Sequence, residues 1–113
     1  MESKAVFIRS GKIVGNVVGE IFHKKMDSRK HFLRKPPAIA FDVKSIEKAE
    51  RYGAKRILVF DTHKRETYTA TIDQIYKKGM DVNRGFGKQI ALPLSYWKIE
   101  SADVTQLELL NVA

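Results

Sequence analysis

The sequence lacks several features that would define its class at once. Its 113 residues include no cysteine, which excludes a disulfide scaffold, a cysteine-rich zinc site and thiol catalysis. No apolar run approaches the roughly 18 residues of a membrane span, and the N-terminal residues lack the apolar region of a signal peptide. We therefore expect a soluble, cytoplasmic protein that has no membrane partner.

Linkers and low-complexity tracts are missing as well. The chain has only seven glycines and three prolines, too few to divide it with a flexible or a rigid linker. Its 43% of hydrophobic residues is enough for one core, and its length is that of one ordinary domain. The sequence thus predicts a single domain over residues 1–113.

Acidic residues are too few to balance the basic ones, and the net charge is +8. Residues 1–98 hold all 21 Lys and Arg but only ten acidic residues, a net charge of +11. The remaining residues, 99–113, hold three acidic residues and no basic one. This asymmetry indicates one surface for a polyanion and a separate acidic edge.

The densest positive charge lies in residues 23–37, HKKMDSRKHFLRKPP, where six Lys or Arg and two His accompany only one acidic residue. A turn near the middle would fold two basic arms side by side into a hairpin that holds backbone phosphates. The alternative is a solvated hairpin whose charges prevent edge-to-edge aggregation. The predicted phosphate contacts in this stretch are Lys24, Lys25, Arg29, Lys30, His31, Arg34 and Lys35.

A glycine-bearing loop, NRGFGK at residues 83–88, predicts a second contact with nucleic acid. Arg84 and Lys88 would hold phosphate, and Phe86 would stack on a base. The loop matches neither the Walker A motif nor the dinucleotide-binding GxGxxG motif. The alternative is an ordinary turn that tucks Phe86 into the core.

One part of the chain carries a clear secondary-structure pattern. The apolar run at residues 38–41 predicts a strand, Asp42 offers an N-cap, and a helix follows over residues 43–52 before Gly53. Residues 55–60 then form a nearly continuous apolar run, which is typical of a buried central strand. Strand, helix and strand in this order predict a parallel βαβ unit.

The other elements are shorter. Residues 12–26 predict one strand that is bent or bulged at Gly15 or Gly19. Residues 67–71 predict a hairpin partner for the buried central strand, and Thr71 begins a capping box before a second helix. The predicted fold class is α+β: one mixed, mostly antiparallel sheet of about five to seven strands with two short helices.

An alternative function is that of a metal-dependent nuclease. In the predicted βαβ unit Asp42 and Asp61 both follow parallel strands, so their carboxylates could hold Mg²⁺ beside Lys44. Each aspartate also has a structural explanation, Asp42 as a helix cap and Asp61 as the first residue of a turn. His23 and His31 could instead act as an acid–base pair on RNA, although histidines in a basic hairpin are usually surface residues.

A third function is that of a protein-interaction module that docks on an acidic partner. Residues 104–112 predict an acidic edge strand, which could pair with its own copy in a homodimer or with a partner protein.

Together these patterns favour a small, basic nucleic-acid-binding accessory protein without catalytic activity, cofactor or metal. DNA is favoured over RNA because the chain lacks the signatures of common RNA-binding domains. Mg²⁺ would be required only by the nuclease alternative.

Overall fold

Two sheets organise the chain in the computed structural model, which describes residues 3–9, 12–31, 37–84 and 87–101. Within these ranges the larger sheet has six strands, and a smaller sheet has three. The larger sheet contains, in spatial order, β1 (Ser3–Arg9), β2 (Lys12–Val18), β3 (Ile21–Met26), β5 (Arg56–Asp61), β6 (Glu66–Thr71) and β9 (Lys98–Ser101). The smaller sheet contains β4 (Ala38–Asp42), β8 (Gly87–Pro93) and β7 (Met80–Arg84).

Within the same ranges, the strands are connected by three α-helices, α1 (Ser28–His31), α2 (Val43–Arg51) and α3 (Ile72–Lys78), and by one 3₁₀ helix, Leu94–Tyr96. Helix α3 begins as predicted, because the Thr71 side chain accepts a hydrogen bond from the Gln74 backbone while the Gln74 side chain accepts one from the Thr71 backbone. The α+β class is confirmed, with β3 and β5 as the parallel pair of the larger sheet and the other pairs antiparallel. The second sheet was not predicted.

The predicted βαβ unit is wrong in its pairing. Strand β4 and helix α2 form where expected, but β4 pairs antiparallel with β8 in the smaller sheet. Strand β5 instead lies parallel to β3 in the larger sheet. The residue pattern identifies a strand and a helix, but it does not identify which distant strand lies beside β5.

The single bent strand predicted for residues 12–26 is two strands. Gly19 has a φ of 61° and forms a turn with Glu20, so β2 and β3 make an antiparallel hairpin. Because β2 and β5 flank β3 on its two sides, no second basic arm can pair along it. The predicted basic hairpin is therefore wrong, and the chain continues from β3 into α1 instead.

One hydrophobic core lies between the larger sheet and the layer formed by α2, α3 and the smaller sheet. Phe22 and Val59 come from the larger sheet, whereas Ile46, Ile75 and Leu92 come from the opposing layer, and all five are fully buried. Burial of such side chains provides the main stabilisation of the fold.

Two predictions concern the last part of the chain. Strand alternation predicts that only one of the adjacent rings of Tyr96 and Trp97 faces the core, and we expect it to be Trp97. Trp97 is in the core and donates a hydrogen bond from Nε1 to the Leu92 carbonyl, while Tyr96 is exposed, which confirms this prediction. The predicted strand at residues 104–112 lies outside the described residues. No helix within the described ranges combines the length and the apolarity that crossing a bilayer requires.

Candidate nucleic-acid interface

Two lysines of the basic stretch lie on opposite faces of β3. The Lys24 side chain shares the core face with Phe22 and is half-buried, with Nζ 4.7 Å from the centroid of the Phe41 ring and 3.4 Å from the Ala40 carbonyl oxygen. Lys25 is exposed on the other face, as strand alternation requires. The Lys24 ammonium group therefore packs within the fold, and Lys24 and Lys25 do not form one surface.

Arg29 is neutralised by a neighbour. Its guanidinium makes two hydrogen bonds to Asp27, from Nε to Oδ1 at 3.0 Å and from Nη2 to Oδ2 at 2.7 Å. This hydrogen-bonded ion pair raises the pKa of Arg29 further above its usual value. The side chains of Lys30 and His31, and the whole of Arg34 and Lys35, lie outside the described structure, so their predicted phosphate contacts remain predictions.

The predicted glycine loop is shorter than expected, because β7 extends to Arg84 and β8 begins at Gly87. Phe86 and the Arg84 side chain lie outside the described structure. Gly87 has a φ of 127°, a conformation that favours glycine, and Lys88 beside it is exposed. Of the three contacts predicted for this loop, only Lys88 lies within the described side chains, and it is a cation on the surface.

Lys88 lies at a pocket where the two sheets meet the start of α2. The pocket has a volume of about 420 Å³. The register between β1 and β2 shifts on both sides of Phe7, and such a bulge can redirect a side chain. The residues that line the pocket are Phe7, Asp42, Val43, Lys44, Glu47, Gly87 and Lys88.

A row of cations continues from this pocket along α2. Lys44, Lys48 and Arg51 are spaced four and then three residues apart, so they lie on one side of the helix. The opposite side of α2 is buried through Ile46 and Ala49. We call Lys88, Lys44, Lys48 and Arg51 the cationic stripe.

The cations of the stripe are not neutralised within the described part of the protein, where none of their side chains makes a salt bridge or a hydrogen bond. Of the two acidic residues on α2, Glu50 accepts a 2.6 Å hydrogen bond from the Tyr76 hydroxyl, and Glu47 faces the pocket. Positive charge is thus left available along this side of the helix, where Lys44 and Arg51 are exposed and Lys48 is half-buried. Sequence reasoning missed this arrangement, although the spacing of Lys44, Lys48 and Arg51 is readable once the apolar face of the helix is known.

The two aspartates of the nuclease hypothesis are not on adjacent parallel strands. Asp42 ends β4 in the smaller sheet, and Asp61 ends β5 in the larger one. Asp42 precedes α2 but makes no side-chain cap; its Oδ1 accepts a 3.1 Å hydrogen bond from Gln89 Nε2. Lys44 and Asp42 share the pocket, and Asp61 does not line it.

Asp61 holds local structure. Its Oδ1 accepts hydrogen bonds from the backbone N–H groups of Ser28, at 3.1 Å, and His63, at 3.0 Å, and its side chain is fully buried. Burial by itself raises the pKa of Asp61, but the Ser28 hydroxyl and the N–H groups of Ser28, His63 and Lys64 outweigh burial and lower the pKa. The predicted turn-forming role of Asp61 agrees with this geometry.

His23 is not a surface residue, because it is 2% exposed and lies inside the larger sheet. Burial lowers its pKa, which favours the neutral imidazole. Among the described residues there is no group of three or more His, Asp or Glu side chains that could hold a metal ion.

Comparison with known proteins gave no match: no family model, no curated protein and no solved structure is similar to the chain.

Proposed function

We propose that the protein binds the phosphate backbone of nucleic acid through the cationic stripe and does not cleave it. The observation that carries this proposal is the row of four cations that no described side chain neutralises. Lys88 keeps the role expected from the glycine loop, whereas α2 replaces the predicted basic hairpin as the main contact. A cytoplasmic location and a preference for DNA belong to the same proposal.

The spacing of the stripe suits a nucleic-acid strand. An α-helix rises 1.5 Å per residue, so Lys44 and Arg51 are separated by roughly 10 Å along the axis of α2. Phosphates of one strand follow each other at about 3.4 Å along a duplex axis, so this length covers about three of them. Lys88 adds a fourth cation at the amino-terminal end of the helix.

The buried face of α2 holds the stripe in position. Ile46 and Ala49 are both fully buried, and α2 packs against β1, β4 and β8. The cations are therefore carried by a fixed element. Binding through them needs no ordering of the helix, and a helix that is already ordered loses less conformational entropy on binding.

The salt dependence of binding tests the proposal. Four phosphate contacts predict that the logarithm of the affinity for duplex DNA falls with the logarithm of salt concentration at a slope of about −3.6. Between 50 and 200 mM salt the affinity should fall by about a hundredfold. Replacing the four cations of the stripe with glutamine should remove most of this slope, as measured by fluorescence anisotropy on DNA and RNA duplexes of the same sequence.

A matched variant separates the stripe from general basicity. Substituting glutamine at Lys55, Lys77, Lys78 and Lys98 removes the same charge from exposed positions outside α2 and outside the pocket. This control should keep most of the slope and affinity of the natural protein. Equal losses of affinity and of salt slope in the two quadruple variants, with both variants still folded by circular dichroism, would contradict a localised interface.

A further inference from the structure

The pocket at the amino-terminal end of the stripe differs from a simple phosphate site. Two of its side chains, Lys44 and Lys88, are positive, but Asp42 and Glu47 are negative. Carboxylates repel phosphate, so a pocket that received only phosphate would be weakened by both of them. Their presence indicates a ligand that offers hydrogen-bond donors as well as negative charge.

The walls and the size of the pocket agree with such a ligand. Phe7 and Val43 give it apolar surface, and its volume of about 420 Å³ is in the range of small-molecule sites. An aromatic ring beside cations is a common arrangement for a nucleotide, since the base packs on the ring while the phosphate meets the cations.

We infer that this pocket binds an unpaired nucleobase that carries an exocyclic amino group. The inference rests on the proposed function and adds base selectivity to it. Lys44 and Lys88 hold the phosphates on either side, the base lies against Phe7, and Glu47 accepts a hydrogen bond from the amino group. A carboxylate is the usual acceptor for the amino group of cytosine, and thymine and uracil lack an amino group.

Asp42 and Glu47 differ in how they are held at the pocket. The Asp42 carboxylate is held by the 3.1 Å hydrogen bond from Gln89, and Asp42 pairs with Gln89 between β4 and β8. Glu47 stands one helical turn further along α2, exposed and without a salt bridge to any described residue. Glu47 is therefore the residue to change, because its substitution leaves the strands intact.

Binding to short homopolymers of deoxycytidine, deoxyadenosine and thymidine, measured by fluorescence anisotropy in EDTA, tests the inference. The natural protein should bind the cytosine and adenine strands about tenfold more tightly than the thymine strand. Glu47→Ala should abolish this preference, and alanine is well tolerated in a helix. Glu50→Ala, on the same helix, removes the same charge outside the pocket and should change all three affinities alike.

Three other results of these binding measurements would overturn base selectivity. Equal affinity of the natural protein for the three strands, or an unchanged preference in Glu47→Ala, would overturn base selectivity. Loss of binding in EDTA would also overturn it, because the carboxylates would then be holding a metal ion. The duplex salt slope, measured separately, shows whether phosphate binding by the stripe stands when base selectivity fails.

Discussion

Removing the negative charge of Asp61 should destabilise the folded protein. Asp61→Asn keeps an oxygen that can accept from the N–H groups of Ser28 and His63, but it removes the negative charge. A hydrogen bond to a charged group contributes about 1.5–3 kcal/mol and one between neutral groups about half as much, so two weakened bonds cost about 2 kcal/mol. Asp61→Ala would leave both N–H groups unpaired and should cost more.

The pH dependence of the unfolding free energy should show that the ionised carboxylate of Asp61 is the form that stabilises the fold. Because the pKa of Asp61 is lowered in the folded protein, its ionised form stabilises the fold above the unfolded-state pKa of about 3.9. That contribution is lost as the pH falls through the folded-state pKa. The gap in unfolding free energy between the natural protein and Asp61→Asn should therefore be largest near neutral pH and should close in acid.

Urea denaturation followed by circular dichroism, repeated from pH 7 down to about pH 2, measures the gap. Asp81→Asn, at an exposed position on β7, is the matched control and should be neutral. An Asp61→Asn protein as stable as the natural one at pH 7, or a gap that stays constant into acid, would refute the structural role. Loss of a cleavage activity at full stability would instead support the nuclease alternative.

Two further substitutions test the roles assigned to residues of the larger sheet. Gly15→Ala should lower the free energy of unfolding by about 3 kcal/mol, since a Cβ there would meet the Phe22 ring and the His23 carbonyl oxygen at less than 3 Å. A decrease below about 0.5 kcal/mol, measured by urea denaturation, would contradict this prediction. Lys24→Met should leave the salt slope of duplex binding unchanged, because Lys24 contacts Phe41 inside the fold. A slope that is flatter by about one unit would show that Lys24 contacts a phosphate.

Local patterns were predicted well because their causes are local. The capping box at Thr71 and the hairpin of β5 and β6 each depend on residues close together in the chain. Trp97 was also correctly expected in the core, although Leu94–Tyr96 form a 3₁₀ helix and not the alternating strand that the prediction assumed. The same alternation could have placed Lys24 on the core face with Phe22, but the dense positive charge around it favoured a surface interpretation.

Pairing between distant segments could not be predicted in the same way. The apolar run of β4 suits either sheet, and only its partner β8 decides which one it joins. The cationic stripe could be predicted only in part for the same reason. Lys44, Lys48 and Arg51 share one helix, but Lys88 lies near them only because β8 packs beside that helix. Sequence spacing can therefore indicate most of the stripe, whereas the pocket depends on how the two sheets meet.

Five of the six strands of the larger sheet, all except β9, form two local pieces that meet at one parallel junction. Strands β1, β2 and β3 follow one another as hairpins, β5 and β6 form another hairpin, and β3 and β5 join the pieces. Hairpins close within microseconds, but β3 and β5 can pair only after residues 27–55, which include β4 and α2, have been brought back across the sheet. The slow step of folding should therefore be the closure of that junction, and α2, which carries the stripe, should reach its final position in the same step.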